Sequence, residues 1–273
     1  MESILTVKIM GRPLLKVWGG TYAGFISWIE NRAAQRLTTR IGYLNPETFL
    51  RICFEREVRA HYEGMDCLIP DGFGIALLLS RLPGPKVSRL SGTDFFSEYS
   101  KLLSDSSLRF FFLGGAHGVA SAAAEQIEAY YKSPIVVGAH HGYCDSCDSS
   151  LKQLASMISG SKPDVVFVCM GTPRQERFVA LYGEWIDAPV LFANGGALDF
   201  WSGRRRRAPR AMRVTGMEWL YRLTQEFSVD RVFRSVRSVL LFPILGSLLF
   251  LVRRIEITKI QKELTTKREG VKN

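Results

Sequence analysis

The stretch DVVFVCMGTPRQE, residues 164–176, decides the fold. Residues 165–169 are apolar without a break, the pattern of a short strand covered on both faces rather than one with a wet side. Gly171 then interrupts the chain, Pro173 suits a first helical turn, and Glu176 puts a carboxylate where a helix N-terminus favours one. Gln175 has no comparable local reason to be there. The same order of strand, glycine turn and helix start recurs twice. FFFLGGAHGVASAAAEQ (110–126) passes through Gly114, Gly115 and Gly118, and VLFANGGALDF (190–200) passes through Gly195 and Gly196.

Working outward, strands are expected at 5–9, 40–44, 109–113, 135–138, 165–169 and 190–193. Helical patterns fall at 22–36, 46–60, 72–82, 94–104, 117–132, 149–159 and 173–182. Short apolar runs alternating with longer amphipathic ones predict an α/β fold with a mostly parallel, covered sheet. In such folds the chemistry sits outside the carboxyl ends of the strands.

The chain has 273 residues, 47% of them apolar and 23% charged, which describes a globular protein and excludes a disordered or multi-span membrane chain. Its net charge of +10 is unevenly placed. Residues 203–273 hold 17 Lys and Arg against 6 Asp and Glu, whereas 1–202 hold 19 against 20. Two parts follow: an α/β core over 1–202 and a basic, helical C-terminal appendage over 203–273 that wants an anionic partner. A helix is expected at 216–227, and Arg231, Arg234 and Arg237 then recur at threefold spacing, one stripe of a helix. The run VLLFPILGSLLFLV (239–252) carries no charge and is bracketed by arginines. Fourteen helical residues reach about 21 Å, short of a roughly 30 Å hydrocarbon core. The run therefore reads as a membrane-associating segment lying in one leaflet, or else as a buried core helix.

Five cysteines and no secretory leader predict a reduced compartment without disulfides. Cys144 and Cys147 form a CxxC beside His140 and His141, but no second ligand pair accompanies them, so incidental thiols in a loop are the simpler reading. There is no Asp-x-Asp, P-loop, HExxH or GxSxG in the chain. No metal and no cofactor is expected.

Three polar, glycine-bearing stretches outline a pocket: Asp71, Gly72 and Gly74 after an apolar run, GTPRQE after residues 165–169, and NGGALDF after 190–193. Asp71 can be a substrate-facing acid or a helix cap. Gly114 and Gly115 can admit a phosphate to backbone N–H groups or simply make a tight turn.

Taken in order, LNPE (44–47), PDGFGI (70–75), SGTDF (91–95), FFLGG (111–115), GTPRQE (171–176), GGALDFWSG (195–203), RRAPRAM (206–212) and GMEWLYRL (216–223) resemble the WecG/TagA/CpsF family of bacterial glycosyltransferases. The resemblance implies a Rossmann-like core and an appendage that covers the active site. It implies an inverting, metal-independent transfer of a hexose or N-acetylhexosamine from a UDP-sugar to a polyprenyl-diphosphate-linked sugar. The setting would be surface or exopolysaccharide assembly at the cytoplasmic face of the bacterial plasma membrane, with anionic lipids as a further partner.

By the same resemblance Asp71 is the catalytic base, with Asn45 and Gln175 as polar groups of the reaction site. Gly114, Gly115, Gly171, Pro173, Glu176 and Gly196 fall on the donor side. Arg222, Arg231, Arg234 and Arg207 fall to the acceptor diphosphate, which suits the paired, charge-assisted bonds of guanidinium. Two departures stand out: Tyr43 replaces a common threonine, and Glu226-Phe227 replaces a glutamate-proline. The apolar run also lies beyond the family's usual end by these motifs. The rival class is a non-catalytic membrane-surface or nucleic-acid-binding protein using the basic quarter; nucleic acid fits less well beside so long an apolar run. Whether the chain forms a homo-oligomer is left open by its sequence.

Overall fold

The computed structural model describes residues 4–9, 12–82, 87–102, 108–132, 135–143, 147–225, 229–251 and 255–261. In chain order the elements are β1 (Ile4–Ile9), β2 (Arg12–Trp18), α1 (Tyr22–Ala34), β3 (Thr39–Leu44), α2 (Pro46–Phe54), α3 (Arg56–Glu63), β4 (Cys67–Pro70) and α4 (Phe73–Ser80). There follow α5 (Phe95–Tyr99), β5 (Phe110–Gly114), α6 (Val119–Tyr131), β6 (Val136–His140), α7 (Asp148–Gly160), β7 (Val165–Cys169), α8 (Arg174–Tyr182), β8 (Val190–Ala193) and α9 (Ala197–Trp201). The C-terminal part contributes α10 (Arg210–Val214), α11 (Glu218–Gln225), α12 (Val229–Leu251) and β9 (Ile255–Gln261).

The strands make one sheet in the order β6-β5-β7-β8-β3-β4-β2-β1-β9. From β6 to β2 every pairing is parallel, and β1 and β9 are added antiparallel at one end. Alternate residues of the central strands β5, β7 and β8 enter two separate cores. Phe110, Phe112, Phe167 and Phe192 face one, while Phe111, Val166, Val168 and Leu191 face the other. Neither face is wet, which is why the strands read as unbroken apolar runs. Phe110, Phe112, Phe167 and Phe192 are fully buried, each contributing roughly 1.5–3 kcal/mol over an exposed ring.

The structure departs from the expected elements at identifiable points. The pattern over 46–60 is two helices, because Glu55 adopts an extended conformation (φ −110°, ψ 108°) and turns the chain. That break lets α2 pack under α12, where Phe49 meets Phe242 edge-on at 5.4 Å, while α3 turns toward β2 and α8. Among the described residues of 94–104, the five-residue α5 stands between two short 3-10 turns. β2 and β4 carry too little unbroken apolar sequence to stand out; β4 is four residues long and ends in proline.

The C-terminal part is not wholly helical: β9 returns to the sheet and pairs with β1 from Ile4–Gln261 to Ile9–Ile255. The run 239–252 is neither buried outright nor free. Within α12, Phe242 and Leu249 are buried against the core, whereas Leu240, Leu241, Ile244 and Leu248 are exposed. Gly74 makes room for this contact, since a Cβ there would stand 2.8 Å from the Phe242 ring. Among the described residues no helix is long and apolar enough to cross a membrane.

Gly114 lies where β5 meets β7, at φ +135°, and a Cβ there would overlap the Cys169 carbonyl. Gly114→Ala should therefore destabilise the protein by roughly 2–4 kcal/mol, read as a lower urea midpoint. An unchanged midpoint would contradict this packing.

Candidate active site at the carboxyl ends of five strands

Five adjacent strands end on the same side of the sheet. β5 runs into Gly115, β7 into Gly171, β8 into Asn194, β3 into Asn45 and β4 into Asp71. Above them lie three cavities that share lining residues. The first, about 460 Å³, is lined by Gly115, Gly142, Tyr143, Gly171, Gly195, Gly196, Arg174, Arg204 and Arg205. The central one, about 100 Å³, is lined by Tyr43, Thr48, Ser91, Thr93, Gln175, Asn194 and Phe200 among others. The third, about 500 Å³, is bounded by Arg89, Glu218, Trp219, Phe73 and, from α12, Ser235, Ser238, Val239, Phe242 and Pro243. Asn45 borders all three, and Asp71 and Arg222 border the second and third.

Asp71 follows β4 directly, and its N–H donates to the Leu44 carbonyl at 2.9 Å. It is not a helix cap: the N-cap of α4 is Gly72, at φ +86°, and no side chain caps that helix. Burial pushes the Asp71 carboxyl above its ordinary range; Arg222 and Arg89 pull it back, and Glu218 adds to the rise. Such a group holds a proton more readily than a free aspartate does, as a general base near neutral pH must.

Asn45 caps α2. Its side chain accepts from the Thr48 N–H at 2.9 Å, while the Thr48 hydroxyl accepts from the Asn45 N–H at 2.8 Å. The carbonyl end of Asn45 is thus committed to the fold, leaving its amide N–H groups for the cavities.

Gln175 has the structural reason that its sequence context lacks. Its Oε1 accepts from the N–H of Gly171 at 3.2 Å and of Gly195 at 2.9 Å, tying the ends of β7 and β8 together. Its Nε2 donates to Glu176 Oε1 at 2.8 Å. Glu176 is 1% exposed and borders none of the three cavities. The hydroxyls of Tyr62 and Thr172 also donate to its Oε1, while its Oε2 has no partner among the described residues. Burial raises its pKa, opposed by the bond from Gln175.

Of the residues expected on the donor side, Gly115, Gly171 and Gly196 border the first cavity. Gly114, Pro173 and Glu176 do not; Gly114 serves strand contact, and Pro173 sits at the N-cap of α8. The arginine run divides. Arg204 and Arg205 line the first cavity, while Arg207 turns to the core, pairing with Asp94 at 2.6 Å, with Glu218 at 3.2 Å, and with the Thr93 hydroxyl. Arg207 borders no cavity, whereas Arg222 borders two. Arg231 and Arg234 fall in the first turns of α12, and their side chains lie outside the described residues.

Tyr43 is buried at the central cavity, stacked on Phe192 at 5.3 Å, its hydroxyl without a partner among the described residues. Cys144 lies outside the described residues; Cys147 is exposed, 2.9 Å from the Ser150 hydroxyl. Among the described residues no group of three or more His, Cys, Asp or Glu is placed to hold a metal ion.

The family model for WecG/TagA/CpsF glycosyl transferases matches residues 7–253. The chain belongs to this family. It is a glycosyltransferase, and the match takes in the apolar run 239–252, which is therefore not an addition beyond the family's end. The chain is 30% identical over 201 residues to the N-acetylglucosaminyldiphosphoundecaprenol N-acetyl-beta-D-mannosaminyltransferase of Bacillus subtilis (strain 168), covering 73% of this chain and 77% of that one. The enzyme of the same name from Bacillus spizizenii is 31% identical over 183 residues, 66% of this chain and 68% of its own. The one from Staphylococcus aureus (strain MW2) is 29% identical over 160 residues, 59% and 61% respectively.

Arg89, Glu218, Asn194, Arg174, Arg204 and Arg205 are site residues that the sequence reading did not single out. Glu218 inside GMEWLYRL, Arg174 inside GTPRQE and Asn194 inside NGGALDF lay within quoted stretches; Arg89, Arg204 and Arg205 did not. Gln175→Ala would strand the Gly171 and Gly195 N–H groups and one Glu176 partner. It should lower stability by roughly 2–4 kcal/mol as well as activity, measured by denaturant unfolding. Full stability with lost activity would assign Gln175 to substrate alone.

Proposed function

We propose that this glycosyltransferase moves a sugar from a UDP-sugar to a polyprenyl-diphosphate-linked sugar at a membrane surface, with inversion and without a metal, Asp71 acting as base. The observation that carries the reading is the row of three cavities. A glycine- and arginine-lined crevice at the strand ends suits a nucleotide diphosphate. An arginine-bearing cavity with an apolar wall from α12 suits a lipid diphosphate. The small polar cavity between them, where Asp71 and Asn45 stand, suits the reacting atoms at which a donor sugar and an acceptor hydroxyl meet, not two whole sugars.

In this reading the acceptor hydroxyl enters from the α12 side and gives its proton to Asp71 as its oxygen attacks the anomeric carbon from the face opposite the leaving UDP. The bond to the departing diphosphate breaks as the new glycosidic bond forms, which inverts the anomeric centre. Arg174, Arg204 and Arg205 supply the positive charge that a leaving diphosphate requires. Asn45 offers its amide to sugar hydroxyls. The activities for which the relatives are named make an N-acetylhexosamine donor and a lipid-diphosphate-linked N-acetylglucosamine acceptor the first pair to test.

Membrane contact is supported by the outer face of α12, where Leu240, Ile244 and Leu248 follow one another at fourfold spacing and are 59%, 66% and 53% exposed. Leu240 and Ile244 directly follow Val239 and Pro243, which line the large cavity, so in this reading lipid held in the cavity emerges beside an apolar surface.

Asp71→Asn should reduce turnover at least hundredfold and leave UDP affinity within a few-fold, by coupled UDP release and calorimetry. Ordinary turnover in that variant would remove Asp71 as base. Because the active form is the carboxylate and burial raises its pKa, the acid limb of activity in the parent protein should lie above the ~3.9 of a free aspartate. Leu240→Ser, Ile244→Ser and Leu248→Ser together should weaken binding to vesicles containing anionic lipid without affecting UDP binding. Surface changes suit this test better than truncation, because cutting at α12 also removes β9 from the sheet.

A further inference from the structure

Three guanidinium groups converge on one buried carboxylate, Glu218, at the start of α11. Its Oε1 accepts from Arg222 at 3.0 Å and Arg207 at 3.2 Å, and its Oε2 accepts from Arg89 at 3.0 Å. The three arginines come from different places. Arg89 belongs to the core segment after α4 and also donates to the Arg213 carbonyl at 2.7 Å, at the end of α10. Arg207 reaches across to Asp94 and the Thr93 hydroxyl beside α5. Arg222 lies over the Phe200 ring at 5.0 Å and borders the cavities that hold Asp71.

Three cations this close repel one another unless a counter-charge lies among them. Glu218 and Asp94 supply two carboxylates for the three guanidinium groups, which leaves one positive charge in surplus beside the large cavity. Although burial opposes it, Arg222 and Arg207 hold the Glu218 carboxyl down to about 2, so it is ionised throughout the physiological range. Arg222 Nε is shut away from solvent without a partner among the described residues, so its placement has a cost that the bond to Glu218 helps to offset.

We propose that Glu218 is a positioning residue for the transfer: it docks α10 and α11 onto the core and fixes Arg222 and Arg89 beside Asp71, so that the acceptor diphosphate enters a preformed cationic site. The inference rests on reading the large cavity as the acceptor site. Glu218 borders the large cavity, but both its oxygens are taken by arginines, so it acts through Arg222 and Arg89, and through Arg207 it ties them to Asp94 on the core.

The test is Glu218→Gln, which keeps the shape and removes the charge, assayed in the full chain with a UDP-sugar and lipid-diphosphate-linked N-acetylglucosamine in detergent. The acceptor KM should rise at least tenfold while UDP affinity by calorimetry stays within twofold. The acid limb of the pH profile separates the two mechanisms. If Glu218 holds the arginines, its loss lets them leave Asp71 and the limb moves to higher pH. If the arginines stay where they are, only a nearby negative charge has gone and the limb moves to lower pH. In an Arg222→Gln background, Glu218→Gln should have an effect on acceptor KM at least threefold smaller than in the parent. An unchanged acceptor KM, a limb shifted to lower pH, or an undiminished effect without Arg222 would each overturn the proposal. Should Glu218→Gln lose UDP binding, Glu218→Asp, one methylene shorter with the charge retained, must still raise acceptor KM, and an unchanged KM there overturns the proposal equally. Absence of acceptor-dependent UDP release in the parent protein would overturn the functional reading itself and this inference with it.

Discussion

A carboxylate must be kept usable in a place where water is scarce. Asp71 stands where the central and the large cavity meet, and burial there favours its protonated form. Cations are the remedy, yet too many, or too close, would lock it as an ion-paired anion too weak to take a proton. The arrangement around it strikes this balance at one remove: Arg222 and Arg89 face Asp71, and Glu218 restrains both. The sheet makes the arrangement geometric rather than incidental, because β3 and β4 are neighbours and deliver Asn45 and Asp71 side by side.

Much of the fold was legible because a doubly covered parallel sheet leaves a strong signature. The unbroken apolar runs at 110–113, 165–169 and 190–193 could belong to little else, and the glycines after them marked the working side of the sheet. What could not be read were elements whose apolar residues are few or shared. β4 is four residues long, β9 lies in a charged tail, and the break at Glu55 between α2 and α3 serves a contact with α12, far away in sequence.

The site was legible as a set of positions but less so as a set of roles. Asp71, Asn45 and Gln175 do converge at the central cavity. Gln175 and Asn45 nevertheless use much of their hydrogen-bonding capacity within the fold, and no sequence pattern announces that a side chain bonds to the N–H of a glycine twenty residues away. Glu176, by contrast, read as a helix-start acid on the donor side, yet it is buried and borders none of the three cavities. The arginine run 204–207 looked uniform, yet a turn of backbone sends Arg204 and Arg205 to one cavity and Arg207 to the core. Charge in a sequence gives sign and number; only the fold gives direction.

The central claim is that two anionic substrates meet at Asp71, one from each side. The measurement that tests it most directly is UDP release by the purified protein in detergent and EDTA, with a panel of UDP-sugars, in the presence and absence of a lipid-diphosphate-linked monosaccharide. The account predicts release with one donor class, dependent on the acceptor and indifferent to EDTA. Release that needs no acceptor, or that EDTA abolishes, would contradict it.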